Sequence, residues 1–227
     1  MKKKNLFGLT VTGMFLITAM TACGSEENLG STETANQIQK EEAVALSENN
    51  DKKVPLVKLP DGITPIQAES VPNQEVASLI IDSLEIPEED WKNTKYYYNY
   101  VDLNEDGKDE IFVMVTGPYT SGTGGSMALY LTGEKGNLTV AQKFTVVNEP
   151  VIISNEVENG YHVLVIPYNY LGKQIYSVLK YQNGAYPNTP NGQEIENLDG
   201  ITGTAIIAND RSAEADNGIE WMNLKDN

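Results

Sequence analysis

Ile111-Phe-Val-Met-Val115 places five apolar side chains in an unbroken row. Successive residues of a strand point to opposite faces, so a run that is apolar at each position needs cover on both sides. Acidic and turn-forming residues precede it (Asp102–Glu110), and a glycine-rich stretch follows (Thr116–Ser126). It reads as the central strand of a sheet with another layer on each face.

Around this run the rhythm is that of strands broken by turns. Tyr96–Val101, Glu110–Thr116, Met127–Thr132, Leu138–Val147, Val151–Val157, Tyr161–Pro167 and Gln174–Tyr181 are the candidates. Asn159-Gly160 and Asn183-Gly184 supply the positive φ of a two-residue hairpin, and Gly133-Glu-Lys-Gly136 sits at a third turn. Connections this short force neighbouring strands antiparallel. One helix is expected ahead of them. Asn73 can cap a segment opening with Gln74 and Glu75, in which Val76, Leu79, Ile80 and Leu84 share a face. Pro87 ends it or opens a second short helix through Glu88–Trp91. The fold class is α+β: an antiparallel β-meander sheet with one N-terminal helix, Gln74–Leu84, packed on it.

Residues 54–198 form the single domain that holds this core. Pro55, Pro60, Pro65 and Pro72 keep the approach to the helix extended. Residues 199–227 form a C-terminal extension: Ile201–Ala208 is a candidate last strand, and Asp210–Asn227 is polar and loosely held apart from Ile219 and Trp221.

The acidic loop carries the first chemical signal. With Asp102 as position one, side-chain oxygens fall at one, three and five (Asp102, Asn104, Asp106), glycine at six (Gly107) and Glu110 at nine. That is the front half of a calcium loop, with the Lys108 backbone carbonyl and Glu110 completing the candidate ligands. A helical calcium hand would need a bidentate glutamate at twelve, where Val113 stands. The strand–loop–strand setting resembles the loops of integrin-type propeller repeats, in which an acid at nine closes the cage. Here the loop occurs once, so the motif does not imply that fold. The metal-free alternative is a solvated turn held by its own Asx side chains.

Other motifs are weaker. Thr116-Gly-Pro-Tyr-Thr-Ser-Gly-Thr-Gly-Gly-Ser126 lacks the following helix that a phosphate cradle uses, and reads as a tight connection. Ser121 or Ser126 as a nucleophile would need a base, and His162 is the single histidine of the chain. Ser177 and Lys180 have a serine–lysine spacing, but three residues along a strand turns them to opposite faces. Tyr96, Tyr98 and Tyr100 share a strand face that could stack a sugar or a peptide. The alternative is a core edge with hydroxyls reaching water.

At the N-terminus, Met1-Lys-Lys-Lys precedes an uncharged apolar run, Leu6–Met20, too short to span a bilayer comfortably. Cys23 is the only cysteine, so no intramolecular disulfide forms. Met20-Thr-Ala-Cys23 resembles the lipobox of bacterial lipoproteins, which implies a signal peptide over residues 1–22 and a diacylated thiol at Cys23. An uncleaved anchor, or an ordinary export signal with an incidental cysteine, is the alternative. Two acyl chains hold a protein firmly at a membrane. Residues 23–53 are polar without apolar period and read as a flexible tether. This places the protein at the cell membrane, lipid-anchored and facing outside the cytoplasm. Removing Lys2, Lys3 and Lys4 with the signal leaves 13 basic residues against 32 acidic ones, a net −19. Such a surface repels nucleic acid and anionic lipid.

Taken together, Val101-Asp-Leu-Asn-Glu-Asp-Gly-Lys-Asp-Glu110, Thr116-Gly-Pro-Tyr119, Gly122-Thr-Gly-Gly125 and Tyr186-Pro187-Asn188 resemble a group of uncharacterised bacterial exported proteins and lipoproteins. Their mark is a DLNGDG-type loop followed by a Gly-Pro-Tyr, Gly-Ser-Gly-Gly segment, and the resemblance covers about residues 96–190. Many of those relatives have cysteines where this chain has Ser121 and Ser126, so here hydrogen bonds or a metal must hold the loop. The group implies no catalytic activity. Two function classes follow. One is a lipid-anchored binding or accessory lipoprotein, with one structural calcium loop, that meets an envelope protein or glycan. The other is a cell-envelope hydrolase using Asp106, Asp109 or Glu110 as acid or base. The acids crowd one turn rather than opposing elements, which favours the first.

Overall fold

The computed structural model describes residues 54–225; the signal, Cys23 and the tether lie outside the described residues. At its centre is β3 (Glu110–Thr116), buried from Glu110 through Val115. It is flanked by β2 (Lys95–Val101) and β4 (Ser126–Thr132), with β5 (Thr139–Val147) beyond, all antiparallel in the order β2-β3-β4-β5. One face of β3 turns Ile111, Val113 and Val115 toward α1 (Gln74–Leu84), whose Val76, Ala77, Ile80 and Leu84 are buried against them. Full burial of a Val, Ile or Leu side chain stabilises by about 1.5–3 kcal/mol, so this face is a main hold on the helix. Asn73 caps it as the sequence predicts, its Oδ1 accepting from the Glu75 and Val76 amides at 3.1 and 3.2 Å. Ahead of Pro87, Glu85 ends the helix in a left-handed conformation; a short 3₁₀ segment, Glu88–Asn93, leads into β2.

The opposite face of β3, with Phe112 and Met114, packs on a second sheet through Val151, Leu164, Ile166, Leu179 and Ile206. The strands therefore divide between two sheets, with the helix on the outer side of the first. The second sheet comprises β1 (Ile63–Pro65), β6 (Val151–Glu158), β7 (Tyr161–Tyr170), β8 (Lys173–Leu179), β9 (Gln193–Ile195) and β10 (Gly203–Ile206). Its order is β1-β10-β6-β7-β8-β9, antiparallel except for the parallel pair β1–β10. Both Asn-Gly pairs turn hairpins, with φ of 55° and 80° at Asn159-Gly160 and 54° and 87° at Asn183-Gly184. β7 continues past Pro167, where the sequence reading stops. Pro167 lies beyond the last β6 partner, where its carbonyl accepts from Asn148 N at 2.9 Å outside the β6 ladder, so no ladder donor is lost.

The candidate last strand forms as β10 (Gly203–Ile206), whereas the segment from Asp210 on departs from the loose tail expected of it. β10 inserts between β1 and β6, and α2 (Arg211–Asp216) follows, capped by Asp210. Trp221 joins the core between the sheets with its ring 4.8 Å from Tyr97, and Leu224 joins the core under α1. Backbone pairing with Met222 and Asn223 covers the open edge of β2. Its polar composition hides these few apolar anchors and a buried polar network. Asn209 Oδ1 accepts from Ala68 N at 2.7 Å, while its Nδ2 donates to Glu214 Oε1 at 2.7 Å. The Trp221 indole N–H donates to the other Glu214 oxygen.

Candidate functional site

The acidic loop joins β2 to β3, as the alternation of patterns requires. Its side chains bend back onto their own backbone. Asp102 Oδ2 accepts from Gly107 N at 2.9 Å and Oδ1 from Asp106 N at 3.2 Å. Asn104 Oδ1 accepts from Asp106 N, and Asp106 Oδ1 from Lys108 N at 2.8 Å. Glu105 and Gly107 hold the positive φ values, 57° and 81°, that let the chain curl this tightly. Glu110 turns inward, 7% exposed, and its Oε2 accepts from Leu103 N at 2.9 Å. Burial pushes its carboxyl above the usual carboxylate range; the Leu103 amide opposes this, and Asp106, Asp102 and Asp109 add to it.

The donors suit a hard cation in type. A carboxylate oxygen has two lone pairs, so accepting one amide leaves capacity for a metal. The loop nevertheless closes through Asx-turn hydrogen bonds, and no three His, Cys, Asp or Glu side chains among the described residues converge to hold a metal.

The loop forms one wall of an open cleft of about 1340 Å³. Glu69 and Val71 approach from the segment before α1, Glu134 from the β4–β5 hairpin, and Tyr130 from β4. Acids therefore face this space from several elements and not from one turn, which sequence spacing could not reveal. Lys108 reaches across to Glu134 at 3.4 Å. Glu75, in the first turn of α1, accepts from Gly136 N and Leu138 N at 2.8 and 2.7 Å and pins the hairpin to the helix. Those two amides hold its carboxyl below the usual range.

Tyr96, Tyr98 and Tyr100 of β2 do not form a common binding face. Tyr96 and Tyr98 are buried beneath α1 and its approach, where Tyr96 Oη accepts from Asn73 N at 3.1 Å and Tyr98 Oη donates to Val71 O at 2.8 Å. Tyr100, 48% exposed, is the one that reaches solvent, edge-on to Tyr98 at 5.7 Å. The row shares a face because strands alternate; the helix laid over that face closes it. Tyr130 and Tyr161, which line the cleft from β4 and β7, carry no sequence signal that links them to the loop.

The catalytic candidates are otherwise engaged. Ser121 and Ser126 hydrogen-bond each other at 2.8 Å, and Ser121 Oγ also accepts from Gly117 N. The glycine-rich connection is thus held by hydroxyls at Ser121 and Ser126. His162 Nδ1 lies 2.8 Å from Ser154 O, and its Nε2 lies 3.6 Å from Glu105. Ser177 is buried on Thr189 O, whereas Lys180 pairs with Glu156 and Glu158 at the surface. No helix among the described residues is long and apolar enough to cross a membrane.

No family model, curated protein or solved structure matches this chain.

Proposed function

We propose that this protein is a lipid-anchored lipoprotein of the cell surface, held at the membrane through Cys23, whose folded part is a binding or accessory domain for an envelope protein or glycan. It is read as a relative of the exported proteins with a DLNGDG-type loop, and that loop as a structural calcium site. The observation that carries the binding role is the open cleft with acids and tyrosines on several elements. The hydrogen bonds that occupy Ser121, Ser126 and His162 favour that role over acyl transfer.

Calcium would be held by Asp102, Asn104, Asp106, the Lys108 carbonyl and Glu110, and would supply cross-linking charge rather than chemistry. Extracellular sites of this kind bind at about 0.1–1 mM. Calcium tenfold above such a constant adds about 1.4 kcal/mol of stability. The test is a thermal melt of the protein with calcium and then with EDTA. A melting temperature that rises with millimolar calcium, and no longer does so after alanine replaces Asp102 and Asp106, supports the site. An unchanged melt at millimolar calcium ends it. For the anchor, Cys23→Ser should move the protein from the membrane fraction to the soluble one.

The hydrolase reading keeps one observation in its favour. Glu110, whose carboxyl burial pushes above the usual range, lines the same cleft as Asp109 and Glu69, so further carboxyls stand near it for acid–base chemistry. Hydrolysis of an envelope glycan or peptide that Glu110→Gln abolishes, with the fold intact, would establish it.

A further inference from the structure

We propose that the β7–β8 turn, Tyr170-Leu171-Gly172, is a membrane-contacting tip that enters the interfacial layer of the lipid bilayer at which the chain is anchored. The inference rests on the membrane anchoring proposed above and adds to it a second contact, made by the folded part itself.

Three observations lead to it, and the first is a leucine out of place. Among the described residues, Asn159-Gly160, Asn183-Gly184 and Leu171-Gly172 each turn a hairpin with positive φ at both positions, the last with 50° and 76°. Asparagine tolerates this left-handed geometry, whereas a bulky leucine is strained in it. Val146 and Ile207 also hold a positive φ, but Val146 is half-buried and Ile207 is fully buried. Leu171 is 86% exposed, so neither turn sterics nor burial within the fold accounts for a leucine here. Tyr170 beside it is exposed as well. Cover from outside the chain is what this pair would gain.

The second is charge. Residues 159–193, which hold all of β7 and β8, contain no aspartate or glutamate, and Thr116–Ser126 contains no charge of either sign. The two stretches meet where Asn169 N donates to Gly124 O at 2.9 Å, so the loop that carries the exposed Tyr119 adjoins the tip. Lys173 is the charge next to the turn. Of the adjoining elements, β9 brings Glu194, bound to Tyr168 Oη at 2.6 Å, with Glu196 following. The β5–β6 connection brings Glu149, which is paired with Arg211. The acidic loop is at the other end of β7, where His162 N donates to Leu103 O. From there to Tyr170 the strand covers roughly 26 Å, several screening lengths at physiological salt. The tip is thus the part of an acidic protein that anionic headgroups do not repel. Tyrosine, leucine and lysine together suit the boundary between water and acyl chains.

The third is the place where the folded part is joined to residues 1–53. Leu56 bridges Asn209, Asp210 N donates to Pro55 O at 2.8 Å, and Arg211 pairs with Glu149 just ahead of β6. Ile152 stands opposite Val165, which sets the start of β6 toward the Tyr170 end of β7. The chain therefore enters the second sheet at the end that bears the tip. A chain already held at a bilayer meets lipid at high effective concentration, so two or three side chains suffice for a second contact. A stable protein interface needs about 800 Å² from each partner, more than such a tip supplies.

Fluorescence of the membrane-purified protein, reconstituted into phosphatidylcholine vesicles, tests this. A nitrobenzoxadiazole label is placed at Gln174→Cys, beside the tip with Leu171 intact, or at Lys135→Cys, on the exposed β4–β5 hairpin. The label at 174 should brighten about twofold or more on vesicles and be quenched by doxyl-labelled lipid, and the label at 135 should do neither. Leu171→Asn should abolish the change at 174 without lowering the melting temperature, since asparagine fills the same turn position at Asn159 and Asn183. An unchanged signal at 174, an equal change at both positions, or a change that survives Leu171→Asn would each overturn the proposal. A response at 174 to envelope protein extract and not to lipid would overturn it in favour of a protein partner. The anchor is read separately. A parent chain that takes up label has a free Cys23 thiol and counts against the acyl anchor alone, whereas a chain that does not stay on the vesicles overturns both contacts.

Discussion

Replacing Ser121 and Ser126 by cysteine together should close the glycine-rich loop with a disulfide. The two residues form an isolated antiparallel bridge, flanked by Gly122 N to Gly125 O at 2.8 Å and Met127 N to Thr120 O at 3.0 Å. The pair itself exchanges no backbone hydrogen bond, which is the closer type, with Cα atoms about 4.5 Å apart. That lies inside the span of about 4.4–6.8 Å a disulfide requires. Closing so short a loop removes unfolded-state entropy worth about 2 kcal/mol. The Ser–Ser hydrogen bond given up is exposed and contributes about 0.5–1 kcal/mol. The net gain is about 1–1.5 kcal/mol, which for a folded part of this length raises the melting temperature by about 2–6 °C. Differential scanning calorimetry with and without reductant reads the shift, and thiol titration should find two fewer free thiols in the oxidised double variant. Persistent free thiols under mild oxidant would refute the geometry. A bridge that forms without raising the melting temperature would show that this loop opens before the domain unfolds.

Two further outcomes are expected. Leu129 is fully buried under α1, so Leu129→Ala should cost about 2–5 kcal/mol, whereas Leu171→Ala at the β7–β8 turn, 86% exposed, should stay within about 0.5 kcal/mol; denaturant titration separates them. Glu214 is the pH-sensitive member of the C-terminal network. Burial chiefly raises its carboxyl above the ordinary value of 4.5, opposed by Asn209, Trp221 and Arg211. Between its unfolded and folded values the folded chain therefore holds more protons than the unfolded one, and stability falls as pH rises through that window. The melting temperature of the parent minus that of Glu214→Gln should decline as pH is raised from about 4.5, and a flat difference would remove Glu214 as the cause. The amide also cannot replace both acceptors. Asn209 Oδ1 is committed to Ala68 N, so its Nδ2 and the Trp221 N–H both need an oxygen.

Local chemistry made much of the fold legible. The Asn73 cap, the helical face of Val76, Ile80 and Leu84, the Asn-Gly hairpins and the doubly covered Ile111–Val115 run are decided by neighbours within a few residues, and each stands in the structure. The strand–loop–strand setting of the acidic residues was likewise readable, because a glycine at Gly107 and alternating oxygens describe a turn whatever lies around it. Tertiary structure alone decided the rest. Nothing in the hairpin spacing says that β2–β5 and β6–β9 part into two sheets, or that Thr204 returns to pair with Ile153, 51 positions earlier. The cleft is of the same kind: Glu69, Glu110, Tyr130 and Glu134 come from four separate segments, and only their packing gives them a common space. Residue type and short-range spacing determine elements, since those depend on backbone sterics and nearby hydrogen bonds. Which elements meet is set by how apolar faces are buried over the whole chain, and the charged rim of a cleft follows from that burial.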